Sequence, residues 1–163
     1  MSIQQGEAIP AARLFDLDDS GSPRAVSAAE RLAGKRIALF AVPGAFTRTC
    51  SEKHLPSFVD HAEALKARGV DEIVCVAVND VMVMTAWAKH YGAEGKISML
   101  SDGLGEFTRA LGLEQDLSSR GYGLRSKRYA MLIDNGTVAE ICVEPPGAYG
   151  VSSGEAMLQR LGA

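Results

Sequence analysis

Two short apolar runs, residues 37–42 (IALFAV) and 73–78 (IVCVAV), frame a stretch with helical periodicity. That arrangement limits the fold more than any other feature of the chain. A continuous apolar run rich in β-branched residues suits a strand covered on both faces. From about residue 51 to 68, Leu55, Phe58, Val59, Ala62 and Leu65 fall on one stripe, with Glu52, Asp60, Glu63 and Lys66 outside it. Gly69 follows where a C-terminal glycine cap belongs. The spacing predicts a strand–helix–strand unit with parallel strands.

A second helix is expected after Asn79-Asp80, either of which can cap it; Val81, Met84, Ala88 and Tyr91 mark its inner face. A strand over 97–100 and a helix over 104–111 come next, and the polar, glycine-bearing stretch 112–127 reads as a loop. Residues 129–133 and 137–143 flank Asp134-Asn135-Gly136, and Asn-Gly is the preferred centre of a type I′ hairpin turn. Pro145-Pro146-Gly147 ends the second strand, and a last helix is expected from about 153 to 161. The expectation is an α/β fold: a mixed central β-sheet flanked by helices on both faces, in one domain spanning 1–163. A βαβ unit followed by a ββα end is the thioredoxin-like arrangement.

Composition narrows function by exclusion. With 47% hydrophobic and 23% charged residues the chain can build a core and is not a disordered type. A net charge of -3 gives no reason to expect nucleic acid or anionic lipid as partners. No apolar run approaches the roughly 20 residues of a membrane helix. The first seven residues lack a secretory or Arg-rich presequence pattern, so a cytoplasmic location is expected. Three cysteines without a C-x-x-C are neither a disulfide framework nor a dithiol exchange motif. His61 and His90 lack acidic or cysteine partners at ligand spacing, so no metal site is expected.

Chemistry concentrates at Cys50. The segment Pro43-Gly44-Ala45-Phe46-Thr47-Arg48-Thr49-Cys50 follows a strand and opens a helix. A helix N-terminus presents free N–H groups and partial positive charge, which favour a thiolate over a thiol. A thiolate attacks one peroxide oxygen; the other leaves with negative charge, which positioned donors must stabilise. The Thr47 hydroxyl, backbone N–H groups and a guanidinium would suffice, with no metal or organic cofactor.

The block PGAFTRTCS resembles the peroxiredoxin signature, most closely that of the type II subgroup, which includes the mammalian peroxiredoxin-five proteins. The likeness extends to residues 54–58 (HLPSF), 78–80 (VND), 86–89 (AWAK) and 125–131 (RSKRYAM), and so to nearly the whole chain. It implies that Cys50 is the peroxidatic cysteine and that Thr47 hydrogen-bonds thiolate and peroxide. It also implies that Pro43 shields the thiol and that Arg128 enters the pocket from a strand start. Residue types alone do not favour Arg128 over Arg125. Arg48 stands where many relatives have proline, and a solvated side chain is expected there.

Cys75 is expected to be inert core and Cys142 to lie on the wetter face of its strand. His54 is expected to pack or hydrogen-bond instead of acting as base or ligand, and Pro56 to kink the helix against the Glu52 carbonyl. Some subgroup members carry a second, resolving cysteine before the last helix; here Ser152 and Ser153 occupy that region. An external reductant is therefore expected, glutathione with glutaredoxin first and thioredoxin second, and the resemblance implies a homodimer. The competing readings are a thiol–disulfide oxidoreductase on the same fold and a redox sensor without fast turnover.

Overall fold

The computed structural model describes residues 1–162. The chain opens with an antiparallel hairpin, β1 (Arg13–Leu17) and β2 (Pro23–Ser27), then one turn of helix, α1 (Ala28–Arg31). β3 (Arg36–Ala41) leads into a π-helical turn (Cys50–His54), α2 (Leu55–Asp60) and α3 (Ala62–Ala67). β4 (Glu72–Ala77), α4 (Val81–His90), β5 (Ser98–Ser101) and α5 (Glu106–Leu111) follow. β6 (Glu114–Asp116) and β7 (Leu124–Ser126) make a small separate hairpin. β8 (Tyr129–Asp134), β9 (Thr137–Val143) and α6 (Gly154–Gly162) complete the chain.

The main sheet has seven strands in the order β2-β1-β5-β4-β3-β8-β9. β3, β4 and β5 run parallel at its centre, while β8, β9 and the N-terminal hairpin are antiparallel additions. This is the expected mixed sheet with helices on both faces. Because side chains alternate along a strand, β3 feeds two cores. Ala38 and Phe40 join Phe58, Leu65, Cys75, Trp87 and Met157 on the face covered by α2, α3, α4 and α6. Ile37, Leu39 and Ala41 join Leu14, Leu32, Val74, Val76 and Phe107 on the other. The parallel strands are buried on both sides, which is why they read as unbroken apolar runs.

Three features depart from the sequence expectations. The β1–β2 hairpin was not signalled, because Leu14 is its one fully covered side chain and β2 is mostly exposed. Within the expected loop 112–127 the chain makes β6 and β7 around a 3-10 turn at Ser118–Arg120; these strands are short and largely exposed. The long helix breaks at His61 (φ -106°, ψ 10°) into α2 and α3. The hairpin turn is as expected: Asn135 (φ 46°) and Gly136 (φ 78°) both have the positive φ of a type I′ turn. No helix among the described residues is long and apolar enough to cross a membrane.

Candidate active site

Cys50 lies in the first turn of the helix after β3. The N–H groups of Arg48, Thr49 and Cys50 have no backbone acceptor among the described residues, so the cysteine sits at the positive end of the helix. The loop before it is held from outside. Asn79 Oδ1 accepts from the Ala45 N–H (2.9 Å), while Asp80 caps α4 by accepting from the Val83 N–H (2.9 Å). The two residues that each could have capped α4 thus divide the work. Phe46 sits at φ 65°, an unusual conformation for a bulky side chain and one kept only where its surroundings impose it.

Proline shapes the turn that carries the cysteine. Pro56 has no N–H, and its ring crowds the carbonyl four residues back. The helix does not simply kink there. Ahead of Pro56 the Leu55 N–H bonds to the Cys50 carbonyl, five residues back, and the turn opens into a π-helix. The extra residue relieves the crowding against Glu52. Such turns recur at functional sites because they redirect side chains.

Arg128, immediately before β8, reaches this turn across the β3–β8 pairing. Its Nη2 donates to Cys50 Sγ (3.2 Å) and its Nη1 to His54 Nδ1 (2.9 Å). His54 Nε2 lies 2.9 Å from the Ser152 carbonyl oxygen. A guanidinium only donates and a carbonyl only accepts, so His54 is neutral, with its proton on Nε2. Burial, and then the neighbouring Arg128 charge, push the imidazole down to about 3. The structure therefore runs from a backbone carbonyl through a fixed tautomer to the guanidinium and the sulfur. Arg125 serves elsewhere: it donates to the Tyr122 and Pro43 carbonyls and stacks over the Tyr122 ring.

Thr47 Oγ1 donates to the Gly44 carbonyl (2.7 Å) and not to the Cys50 sulfur. Its proton is committed, and its lone pairs remain to accept. Pro43, Thr47, Thr49 and Arg128 line a cavity of about 400 Å³ next to the sulfur. Cys50 itself is 0% exposed. Neighbouring side chains therefore cover the sulfur.

The sequence pattern of the Redoxin family matches residues 4–158. Peroxiredoxin-2C of Oryza sativa subsp. japonica is 47% identical over 159 residues, 98% of each chain. The chain is a peroxiredoxin. Peroxiredoxin-2E, chloroplastic, of Arabidopsis thaliana is 48% identical over 98% of this chain and 70% of its own length. The solved structure of reduced Prx3 from Vibrio vulnificus in complex with H2O2 is similar at TM-score 0.93 and 50% identity, covering 98% of this chain and 99% of that one. The fold is that of the thioredoxin superfamily, and membership makes thiol peroxidase the activity class of this peroxiredoxin.

Neither of the other thiols of the peroxiredoxin lines the cavity. Cys75 is fully buried in β4, and burial raises its pKa well above the ordinary thiol value. Cys142 is half-buried beside Val151, Met157 and Arg160, and burial raises its pKa too. The Arg48 side chain is 89% exposed, with Glu52 as its partner at 3.3 Å. Two participants carried no sequence signal of this role. The Ser152 acceptor is a backbone carbonyl, and Tyr149, whose ring lies edge-on to His54 (5.4 Å) and under Arg128 (6.0 Å), comes from the loop before α6.

Proposed function

We propose that Cys50 is the peroxidatic residue of a peroxidase acting on hydrogen peroxide and small organic hydroperoxides, with Thr47, Arg128 and Pro43 as its active-site partners. The observation that carries this reading is the Arg128 guanidinium donating to Cys50 Sγ at 3.2 Å. A charge-assisted donor at that distance stabilises a thiolate, the nucleophilic form. The thiolate forms a bond to one peroxide oxygen as the O–O bond breaks. The second oxygen leaves as hydroxide, takes a proton and becomes water, while Cys50 becomes a sulfenic acid. Thr47 accepts from the peroxide O–H through the lone pairs left free, and Pro43 narrows the approach to the sulfur.

The cycle closes through an external thiol. Ser152 and Ser153 stand in the region before α6 and cannot form a disulfide, and Cys75 is buried in the sheet. Glutathione with glutaredoxin is the first reductant and thioredoxin the second. A homodimer is part of the same reading. Phe46 (49%) and Tyr91 (37%), with ring centroids 6.3 Å apart, leave apolar surface exposed beside the active-site loop, of the kind that subunit contacts cover. The sparse cysteines fit a reducing compartment, here taken as the cytoplasm.

Intact-mass spectrometry after one equivalent of hydrogen peroxide tests the assignment. A single added oxygen mapping to Cys50, exchanged for a glutathione adduct when glutathione is present, is the expected result. Oxygen mapping to Cys75 or Cys142 instead would refute it. Cys75→Ser and Cys142→Ser should both keep turnover; loss of turnover with oxidation intact in either variant would end the one-cysteine scheme.

A further inference from the structure

The cavity beside Cys50 is lined by four cations, Arg48, Arg120, Lys127 and Arg128, against one carboxylate, Glu144. This concentration occurs in a chain whose net charge is -3. Glu144 offsets only one of the four charges, and among the described residues it forms an ion pair with none of them. Its Oε2 accepts from the Gly150 N–H, the Ser152 N–H and the Ser152 hydroxyl, and the residue is 6% exposed. Arg128 is committed to Cys50 and His54. The remaining three are available. Arg120 and Lys127 have no carboxylate partner among the described residues. Arg48 has only Glu52, with side-chain exposures of 89% and 61%, and such solvated pairs are worth little and exchange readily.

Like charges gathered on one rim repel each other, and an anion that binds there relieves the repulsion. A bare peroxide has no charge for the rim to hold. A cavity of about 400 Å³ is also larger than a peroxide needs and lies within the roughly 300–1,000 Å³ typical of small-ligand sites.

We propose that Arg48, Arg120 and Lys127 form a carboxylate-binding rim that seats the reducing thiol, with glutathione, a tripeptide thiol bearing two carboxylates, as its occupant. This rests on the reading of Cys50 as the oxidised residue. The seated thiolate attacks the Cys50 sulfenic sulfur. An S–S bond forms, the S–O bond breaks, and the departing hydroxide takes a proton to become water. A second thiol then attacks the glutathione sulfur, forming glutathione disulfide and returning the Cys50 thiolate. Two thiols lose two electrons, which balances the two the peroxide gained.

The test is a sequential-mixing experiment on the full-length protein. It is oxidised with one equivalent of hydrogen peroxide and then mixed with glutathione, its ethyl ester or uncharged 2-mercaptoethanol. In wild type the glutathione rate should exceed the ester rate and fall with added salt. In R48Q/R120Q/K127Q it should drop about tenfold while the 2-mercaptoethanol rate holds, since a cationic cleft acts on charged ligands alone. Equal losses with both thiols, or no salt dependence, would overturn the rim. So would a triple variant that slows a fatty-acid hydroperoxide but not glutathione, which would make the anionic ligand the oxidant. Thioredoxin-driven turnover with no preference for glutathione over 2-mercaptoethanol would likewise overturn it. Failure of wild-type Cys50 to oxidise is read in the first mixing step and counts against the peroxidase reading, not the rim.

Discussion

At Arg128 one planar group holds two partners at once, the Cys50 sulfur and the His54 ring. A lysine keeps the charge but not the fork. Arg128→Lys should therefore slow oxidation of Cys50 by about a hundredfold, and Arg128→Met by more, in the range lost when a transition-state donor is removed. Stopped-flow oxidation with hydrogen peroxide measures this, and a lysine variant at wild-type rate would show that charge alone suffices. Thr47→Val removes the hydroxyl that donates to the Gly44 carbonyl and should slow the same step about tenfold or more; Thr47→Ser should keep most of the rate. Pro43, Thr47 and Cys50 were legible because they share one loop–helix junction. Arg128 lies 78 residues from Cys50, and only the family motif separated it from Arg125; the β3–β8 pairing is what brings it in. The closure of the sulfur was not legible. It follows from packing, Cys50 being counted among the same apolar cluster as Phe40, Leu55 and Phe58.

The elements are tied together near the site by Ser57. Its hydroxyl donates to the His54 carbonyl (2.7 Å) and accepts from the Gly154 N–H (2.9 Å), joining the start of α6 to α2. A Cβ on Gly154 would overlap the Ser57 carbonyl, and backbone cannot swing aside as a side-chain tip does. Gly154→Ala should cost about 1–3 kcal/mol, the usual penalty of overpacking. Because Ser152 sits two residues away and holds His54, the variant should also slow Cys50 oxidation. Urea denaturation together with stopped-flow oxidation checks both effects, and unchanged stability would mean that α6 shifts freely. The core strands could be read from sequence because burial on both faces makes them continuous apolar runs. β1, β2, β6 and β7 could not, since exposed edges leave no period to detect. The opening of the helix before Pro56 was foreshadowed by the proline, but its π form depends on where the displaced N–H finds an acceptor.

At the scale of the whole molecule, the buried His54 and the half-buried Glu72 both make the fold lose stability in acid. His54 titrates near 6.5 when unfolded but is pushed down to about 3 in the fold, first by burial and then by the Arg128 charge. Between those values the unfolded chain takes a proton that the folded chain refuses. Stability is therefore full above pH 6.5 and falls as pH drops toward 3, by about 2 kcal/mol at pH 5. Glu72 acts in the same direction at lower pH. Burial alone would raise it, but bidentate bonds from Arg31 (2.8 and 2.6 Å), the Ser98 hydroxyl (2.6 Å) and the Arg31 and Lys35 charges hold it down to about 2 from 4.5. Its share is present above pH 4.5 and fades below, loosening the junction of α1, β4 and β5. Urea unfolding of the wild type should thus show stability declining from about pH 6.5 and more steeply below about pH 4.5. His54→Gln should flatten the upper part of the profile and leave the lower part. If that variant keeps the wild-type slope between pH 6.5 and 5, the neutral imidazole is not its source.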